Sequence, residues 1–274
     1  MADSIEGDQP VVSCLMVTLP VPARFEAFRR SMAAFCGQTW SNRELVVVLD
    51  RGTAEARKAI RRAVAHADRD DIRIVEPDGE LTLGALRNVS MRAARGDIVC
   101  LWDDDDLYHP ERLARQVAAL RDCGRPASCL QEVMQYFPAT RRLFLVNWTA
   151  TPLTVKPAAL ICMKTALAPY PEHGPEARIG EDLVVLTELQ RRGGLHGQAG
   201  QPHLYVYVSH GLNTCGDDHH QMIADQLAVS QGLLRRREAA IREGLAPFEF
   251  GVGAVVVEGR NGPGFTLEGR GRWD

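Results

Sequence analysis

Four consecutive aspartates at positions 103–106 are the most chemically distinctive feature of this sequence, and they directly follow an apolar run that ends at Trp102. In an extended segment alternate side chains face the same way, so Asp103 and Asp105 could share one ligand. Two hard carboxylates with open coordination positions suit Mg²⁺ or Mn²⁺, which commonly keep water and substrate phosphates as ligands. A metal held there could bridge a diphosphate and absorb the charge that develops as a nucleotide leaves.

A solvated loop and a calcium-binding loop are the alternatives to such a metal site. The acids could simply solvate a loop and favour the N-terminus of the helix that follows. One carboxylate would be enough for that role, and four adjacent like charges repel one another. An EF-hand loop that begins at Asp103 would need glycine in place of Tyr108 and glutamate in place of Ala114, so this motif does not fit.

The overall charge and the cysteines exclude several classes of protein. The chain has 274 residues and a formal net charge of -3, which gives no electrostatic reason to expect a nucleic acid partner. Its seven cysteines are odd in number, scattered and without a C-x-x-C pair, so neither a disulfide framework nor a zinc site is expected. Reduced thiols of this kind are typical of the cytoplasm.

The N-terminal residues and the apolar runs show no sign of a targeting or membrane segment. Residues 1–10 are acidic and polar, and they lack the basic start and apolar stretch of a signal peptide. No apolar run approaches the length that crosses a bilayer. We therefore expect a cytoplasmic protein without a transmembrane segment.

The first hundred residues alternate between short apolar runs and helical patterns. Strands are predicted at residues 11–18, 45–49, 72–75 and 98–102. Helices are predicted at about residues 25–35, 54–67 and 83–95. Gly96 would end the third helix in a left-handed cap. The alternation predicts an α/β domain with a mostly parallel sheet, whose ligands lie beyond the carboxyl ends of the strands, so Thr18, Asp50 and Asp103 would share one rim.

The rest of the chain mixes strands and helices and predicts antiparallel additions to that sheet. Strands are predicted at residues 128–137, 142–147, 158–163 and 203–208. Helices are predicted from Pro110 to Gly124, from Glu181 to the Gly193-Gly194 pair, and over residues 217–243.

The end of the chain is interpreted as an appendage to one main domain. The main domain is predicted at 1–245 and the C-terminal tail at 246–274. The tail holds an apolar run at 252–257, which must be buried somewhere and could pair with a second subunit. A homo-oligomer is therefore one expectation.

Four short segments stand in a recognisable order along the chain. They are Thr18-Leu19-Pro20, the 45–50 strand, Leu86-Arg87-Asn88 followed by Gly96-Asp97 and the acidic run, and Gly180-Glu181-Asp182. Each is weak alone, but order and spacing together are much more specific. Over most of residues 11–214 the chain resembles the family 2 glycosyltransferases. The resemblance implies an α/β GT-A fold, with a mostly parallel sheet flanked by helices, and a metal-dependent, inverting transfer of a sugar from a nucleotide diphosphate sugar to an acceptor hydroxyl.

The resemblance also implies that the main domain has a nucleotide-binding half at about 11–106 and an acceptor half at about 107–245, and it implies roles for individual residues. It places Asp50 at the nucleotide base, makes Asp105 the direct metal ligand, and sets Asp103 nearer the ribose and the metal-bound waters. The implied contacts to the nucleotide sugar are Thr18, Leu19, Asp50, Arg87, Asn88, Trp102, Asp103 and Asp104. Leu49 departs from the family pattern, because an acid often stands there. A UDP-sugar is favoured as the donor, although this departure leaves the nucleotide open.

Glu181 and Asp182 form a second acidic pair that could supply a general base. An inverting transfer needs one carboxylate to take the proton of the acceptor hydroxyl. The family match implies Asp182 for this role, with Glu181 as a less favoured base or an acceptor-side contact. The alternative is structural, because acids in the first turn of a helix are stabilised by the helix dipole.

His210, Trp102 and Trp148 are weaker candidates. His210 begins a His-Gly-Leu-Asn-Thr segment that resembles a family motif, and its imidazole could ligate the metal or touch the diphosphate. A hydrogen-bonded histidine at a strand end is the alternative. Trp102 could pack against the sugar or base, although an aromatic residue that ends a buried strand is more often core. Trp148 could line an acceptor pocket.

Two other functions compete with glycosyl transfer. A nucleotidyltransferase-like enzyme also pairs an α/β nucleotide site with metal-binding acids, but it should carry a Gly-rich loop with Arg or Lys after the first strand, where this chain has Leu19-Pro20-Val21-Pro22. A non-catalytic protein that binds sugar nucleotides or carbohydrates would share the fold. The acceptor is not specified by any motif.

Overall fold

The computed structural model describes residues 9–273, which divide into two compact units. The described part of the first unit comprises residues 9–105, 113–129 and 157–196. The second comprises residues 106–112, 130–156 and 197–273.

The helices and strands of both units are given in chain order. The α-helices of residues 9–273 are α1 (Phe25–Cys36), α2 (Ala54–His66), α3 (Leu83–Ala93), α4 (Arg112–Asp122), α5 (Glu181–Arg191), α6 (Asp217–Leu227) and α7 (Gln231–Leu245). The strands are β1 (Val12–Thr18), β2 (Arg43–Leu49), β3 (Ile72–Val75), β4 (Ile98–Leu101), β5 (Leu107–Tyr108), β6 (Ala127–Leu130), β7 (Glu132–Phe137), β8 (Arg142–Asn147), β9 (Ile161–Met163), β10 (Leu195–Gln198), β11 (Tyr205–Val208), β12 (Gly253–Gly259) and β13 (Gly262–Gly269). No helix within residues 9–273 combines the length and apolar character that a bilayer span requires.

A seven-stranded sheet in the order β10-β6-β9-β4-β1-β2-β3 confirms the predicted α/β class. Strands β4, β1, β2 and β3 are parallel, whereas β9 is antiparallel to β4 and β6 is antiparallel to β9. Every residue of β2 is buried. Parallel strands covered on both faces need continuous apolar runs, which is why these strands could be recognised in the sequence.

Side-chain caps fix where two of the flanking helices begin. The Thr53 hydroxyl accepts a hydrogen bond from the backbone N–H of Ala56 at the start of α2, and the Thr82 hydroxyl accepts one from Ala85 at the start of α3. Each cap satisfies a backbone donor that the helix itself cannot pair. Helix α3, which contains Arg87, packs on β1 and β2.

The predicted left-handed cap at Gly96 is wrong. Helix α3 ends at Ala93 with an extended Ala94, and Gly96 has no positive φ. A Cβ at Gly96 would lie 2.4 Å from the carbonyl oxygen of Val11, so glycine is needed there for close approach to the chain that enters β1. The stop at Gly124 does have the left-handed conformation, with a φ of 62°.

A six-stranded sheet in the order β13-β12-β8-β7-β11-β5 forms the second unit. Strand β12 pairs with β13 on one side and with β8 on the other. Val255 and Val257 are fully buried in the core of this unit. The apolar run at 252–257 therefore lies mostly in a strand that is paired within its own chain, and its burial requires no second subunit.

Two predicted elements are each divided in the structure. The strand predicted at 128–137 is β6 followed by β7, which belong to different sheets. The helix predicted at 217–243 is α6 followed by α7, because Val229 between them donates its N–H to Leu145 in β8 and Ser230 caps α7. Apolar spacing continues across both breaks, so the pattern alone did not reveal them.

Other differences concern short elements. The strands predicted at 158–163 and 203–208 begin as 3-10 turns, Pro157–Ala159 and Pro202–Leu204, and only their later parts are β9 and β11. Strands β5, β10 and β13 were not predicted, since β5 is only two residues long, β10 has a single apolar side chain, and β13 contains three glycines.

Candidate active site

The carboxyl ends of β1, β2 and β4 form the rim that the sequence predicts. The N–H of Asp50 donates to the carbonyl of Thr18 at 2.9 Å, which fixes the end of β2 beside the end of β1. The N–H of Trp102 donates to the carbonyl of Leu15 at 3.0 Å, which places the end of β4 on the other side of β1. Thr18, Asp50 and the start of the acidic run therefore meet at one edge of the sheet.

The four acids do not share one extended geometry. Strand β4 ends at Leu101, and Asp104 and Asp105 lie in a turn, so the expected alternation of Asp103 and Asp105 on an extended segment is not observed. The exposed fraction of the side chain is 23% for Asp103, 10% for Asp105 and 1% for Asp104. Asp103 and Asp105 are thus more open to a ligand than Asp104.

Asp104 and Asp105 share one guanidinium. The Arg24 Nη2 donates to Asp104 Oδ1 and, at 2.8 Å, to Asp105 Oδ2. The Thr18 hydroxyl also donates to Asp104. Burial, with the neighbouring charge of Asp105, raises the pKa of Asp104 to about 6, although Arg24 acts in the opposite direction. Asp104 and Asp105 therefore disfavour each other's charge, and Arg24 places a positive charge beside both.

Arg87 joins the acidic run to the second acidic pair. Its Nε donates to Glu181 Oε1 at 2.6 Å, and its Nη2 contacts Asp103 Oδ1 at 3.4 Å. Arg87 and Glu181 are both buried, and burial raises the pKa of Glu181 although the charge of Arg87 opposes the shift. One side chain thus spans the space between the two predicted acidic motifs.

Asp182 differs from its neighbour Glu181 in exposure. Gly180 caps α5 with a left-handed φ of 84°, and the two acids form the first turn of the helix. Asp182 is half-buried and its Oδ1 accepts a hydrogen bond from the N–H of Leu183 at 2.8 Å. This bond is the helix-stabilising contact expected from a structural acid, but it uses only one carboxylate oxygen.

Asp106 is a structural anchor of the second unit. It is buried, accepts a hydrogen bond from the Tyr205 hydroxyl, and accepts another from the N–H of Val208 at 2.8 Å. Both partners lie in β11, so this acid ties the start of β5 to its neighbouring strand.

The other predicted contacts of the nucleotide sugar differ in accessibility. Leu19 is 37% exposed, and Asp50 is half-buried with its Oδ1 bound by the N–H of Arg51 at 2.6 Å. The amide of Asn88 is held at both ends, because its Nδ2 donates to Tyr170 O and its Oδ1 accepts from Tyr170 N, each at 2.9 Å. Trp102 has no exposed surface and packs edge-on against Phe35, so the structure places it in the core, where its ring has no face for a sugar or base.

His210 and Trp148 lie in the second unit. The Nδ1 of His210 accepts a hydrogen bond from the N–H of Leu212 at 3.2 Å, so Nε2 is the ring atom that a metal would have to use. The ring of Trp148 is half-buried, with the Lys156 ammonium 5.0 Å from its centroid. Metal ligation by His210 and an acceptor contact at Trp148 stay predictions.

The family model described as glycosyl transferase family 2 matches residues 17–162, which is more than half of the chain. This chain belongs to family 2 of the glycosyltransferases. A curated relative, an uncharacterized glycosyltransferase of Methanocaldococcus jannaschii, is 29% identical over 111 residues, which are 40% of this chain. The alignment spans only 37% of the length of that relative.

Solved structures with a similar fold are GT-A glycosyltransferases. TarS of S. aureus, residues 1–349, superposes with a TM-score of 0.56 at 13% identity, over 85% of this chain and 73% of that one. The mannosyltransferase PcManGT from Pyrobaculum calidifontis, in complex with GDP-Man and Mn²⁺, has a TM-score of 0.55 at 18% identity, over 87% and 68% of the two chains. TarS residues 1–349 in complex with UDP-GlcNAc has a TM-score of 0.56 at 14% identity, over 85% of this chain and 66% of that one. These likenesses establish the GT-A fold.

The acidic turn of this glycosyltransferase fits a divalent cation that is only partly held by protein. Across residues 9–273 no three His, Cys, Asp or Glu side chains are grouped to hold a metal by themselves. Asp103 and Asp105 offer hard carboxylate oxygens, and each already contacts a guanidinium cation. Such a donor set suits Mg²⁺ or Mn²⁺ that takes its remaining ligands from phosphate and water.

Arg24 is the site residue of the glycosyltransferase that sequence reasoning missed. It follows the Leu19-Pro20-Val21-Pro22 stretch, which contains no basic residue. The available signal was a basic residue shortly after the first strand, on the rim that carries the acids. Its partners lie 80 and 81 positions further along the chain, so no local pattern indicates the pairing.

Proposed function

We propose that this glycosyltransferase moves a sugar from a nucleoside diphosphate sugar to an acceptor hydroxyl with inversion at the anomeric carbon. Asp182 is the proposed base, and Asp103 and Asp105 are the proposed ligands of Mn²⁺ or Mg²⁺. The observation that carries the proposal is the contact of the Arg87 guanidinium with both Asp103 and Glu181. It keeps the two acidic motifs within the length of one side chain, and so within the length of one donor molecule.

The choice of base follows from the different surroundings of the two acids. Glu181 is 3% exposed and is held by Arg87, so it cannot approach an acceptor without breaking a buried ion pair. Asp182 is half-buried, and the N–H of Leu183 binds only its Oδ1. Its Oδ2 is the atom proposed to receive the proton. A carboxylate that an acceptor hydroxyl can approach is suited to take the proton of that hydroxyl as it attacks.

The donor is proposed to lie along the rim from Asp50 to the acidic turn. Asp50 is assigned to the base, and Thr18, Leu19, Arg87, Asn88 and Asp104 to the surrounding contacts. The structural neighbours bind UDP-GlcNAc and GDP-Man, and a UDP-sugar remains the favoured donor. A cation at the acidic turn would stabilise the charge of the departing diphosphate.

The cytoplasm is the proposed compartment. None of the seven cysteines, all within residues 9–273, forms a disulfide, and four of them are buried. Cysteines that stay as thiols suit a reducing environment.

Replacing Asp182 by asparagine tests the role of the base. Asp182→Asn is expected to lower the rate of transfer by about 10²-fold or more, because general base catalysis contributes about that much, while donor binding is retained. The measurements are transfer rates and donor affinity by calorimetry. Glu55→Gln is the matched control, since Glu55 is the second residue of α2 as Asp182 is of α5. Unchanged transfer in Asp182→Asn would refute the assignment.

A panel of nucleotide sugars, each with and without Mn²⁺, tests the donor and the metal together. A ligand that binds only the native state raises the melting temperature. We expect one nucleotide class to raise the melting temperature more in the presence of Mn²⁺ than in its absence, and to be hydrolysed slowly. A melting temperature that no nucleotide sugar changes would contradict donor binding.

A further inference from the structure

Arg24 lies between two acids of the turn and contacts both of them. It is the last residue of the 3-10 helix Pro22–Arg24, which joins β1 to α1. Its side chain is 15% exposed, and its Nη2 donates to Asp104 and to Asp105. The contact with Asp105 Oδ2, at 2.8 Å, engages a carboxylate that is proposed to bind the cation.

We propose that Arg24 is a positioning residue that holds Asp105 until the divalent cation arrives and then releases it. The inference rests on the proposed metal site. Arg24 would act as an internal cation that competes with the metal for the carboxylate of Asp105. It would therefore set when the metal binds as well as how tightly.

The competition follows from the charges of the turn. Asp104 and Asp105 are adjacent and buried, so their carboxylates repel each other strongly. When no metal is bound, the turn needs another positive charge nearby. The guanidinium of Arg24 supplies one. A divalent cation supplies two, but it must first take Asp105 from a partly buried ion pair, and breaking such a pair is costly.

A diphosphate changes this balance. It brings negative charge that stabilises the cation and that also attracts a guanidinium released from Asp105. Metal and nucleotide should therefore bind with positive coupling, each raising the affinity for the other by the same factor. When neither metal nor nucleotide is bound, Arg24 balances the negative charge of the turn. It thereby delays metal binding until the nucleotide is present.

Titration with Mn²⁺, in the absence and presence of UDP or GDP, tests the inference. Free Mn²⁺ is followed by electron paramagnetic resonance for the wild type, Arg24→Gln, Arg24→Lys and Arg29→Gln. Arg24→Gln is expected to bind Mn²⁺ about fivefold or more tightly than wild type without nucleotide, the lower end of typical coupling, and to show less gain from nucleotide. Arg29→Gln removes the same charge from an exposed pair on α1, and its Mn²⁺ affinity should match the wild type.

The outcomes separate this inference from the proposed function. If the wild type binds Mn²⁺ but Arg24→Gln binds it no more tightly, the competition is refuted and the metal site stands. If neither binds Mn²⁺ with either nucleotide, the metal site itself fails, and the inference with it. Should Arg24→Gln not fold, Arg24→Lys decides, because its compact ammonium keeps the charge but loses the planar fork. It should tighten Mn²⁺ binding by a smaller factor, and an unchanged affinity would refute the inference.

Discussion

The guanidinium of Arg87 is buried against Glu181, and replacing it would leave that carboxylate without its counter-charge. Arg87→Met keeps a long side chain in the space but removes the charge. We expect the free energy of unfolding to fall by about 3–5 kcal/mol, because one member of a buried ion pair is left uncompensated. Urea denaturation followed by circular dichroism measures the change.

A double variant provides the control for this prediction. In Arg87→Met combined with Glu181→Leu the buried charge is gone as well, so the double variant should be more stable than Arg87→Met alone. If the destabilisation by the two substitutions is simply additive, the two side chains do not act as a pair. That result would also weaken the link between the acidic motifs on which the proposed function depends.

At the residue scale, the acids could be predicted from the sequence but their partners could not. A run of four aspartates after an apolar strand predicts a charged rim of the sheet, and this prediction needs only neighbouring residues. The contacts of Asp104 and Asp105 with Arg24, and of Asp103 and Glu181 with Arg87, join residues between 16 and 94 positions apart. The expected alternation of Asp103 and Asp105 along an extended segment is not observed, because the strand ends before the acids.

At the scale of elements, the first four strands could be predicted from the sequence. Strands β1 to β4 agree with the predicted boundaries within about two residues. Three of them, β1, β2 and β4, are almost wholly buried, and strands covered on both faces have continuous apolar runs. The later elements depend on contacts that apolar spacing does not record. Helices α6 and α7 are separated by residues that bond to β8, and β6 and β7 are adjacent in sequence but pair in different sheets.

Gly96 allows a test of close approach against left-handed geometry. Both Gly96→Ala and Gly96→Asn should lower the free energy of unfolding by about 1–3 kcal/mol, because any Cβ would meet the Val11 carbonyl at 2.4 Å and force the backbone to shift. Thermal or urea unfolding measures the change. A left-handed cap would instead tolerate asparagine much better than alanine.

Gly124 is the matched control for that experiment. Its φ is 62°, and a Cβ there would meet nothing within 4 Å. Gly124→Asn should therefore cost less than Gly124→Ala, whereas the two substitutions at Gly96 should cost similar amounts. Equal behaviour of the two glycines would show that close approach is not what requires glycine at position 96.

At the scale of the whole molecule, residues after 245 contribute to a core. Strands β12 and β13 complete the six-stranded sheet, and their buried residues pack with helix α7 in the second unit. The sequence indicated that the apolar run must be buried, but it did not indicate which part of the protein buries it. Its position was unpredictable because β12 pairs with β8, more than a hundred residues earlier in the chain.

Strands β12 and β13 form an antiparallel hairpin, and two valines, one within β12 and one just before it, test its contribution to the core. Val257 is fully buried and Val252 is 84% exposed. Val257→Ala should lower the free energy of unfolding by about 2 kcal/mol through lost burial and a small cavity, whereas Val252→Ala should change it by less than about 0.5 kcal/mol. Chemical denaturation of both variants is the measurement. Similar values for the two would mean that the hairpin is not part of the cooperative core.

The anchoring of Asp106 to Tyr205 and Val208 affects how mutagenesis of the aspartate run should be interpreted. An alanine scan that found all four positions intolerant would invite a count of four metal-binding or donor-binding groups. Loss of activity at position 106 would instead report a loosened attachment of β5 to β11, and it should be accompanied by a lower melting temperature. Comparing thermal stability with turnover at each position would distinguish aspartates that stabilise the fold from aspartates that take part in the transfer.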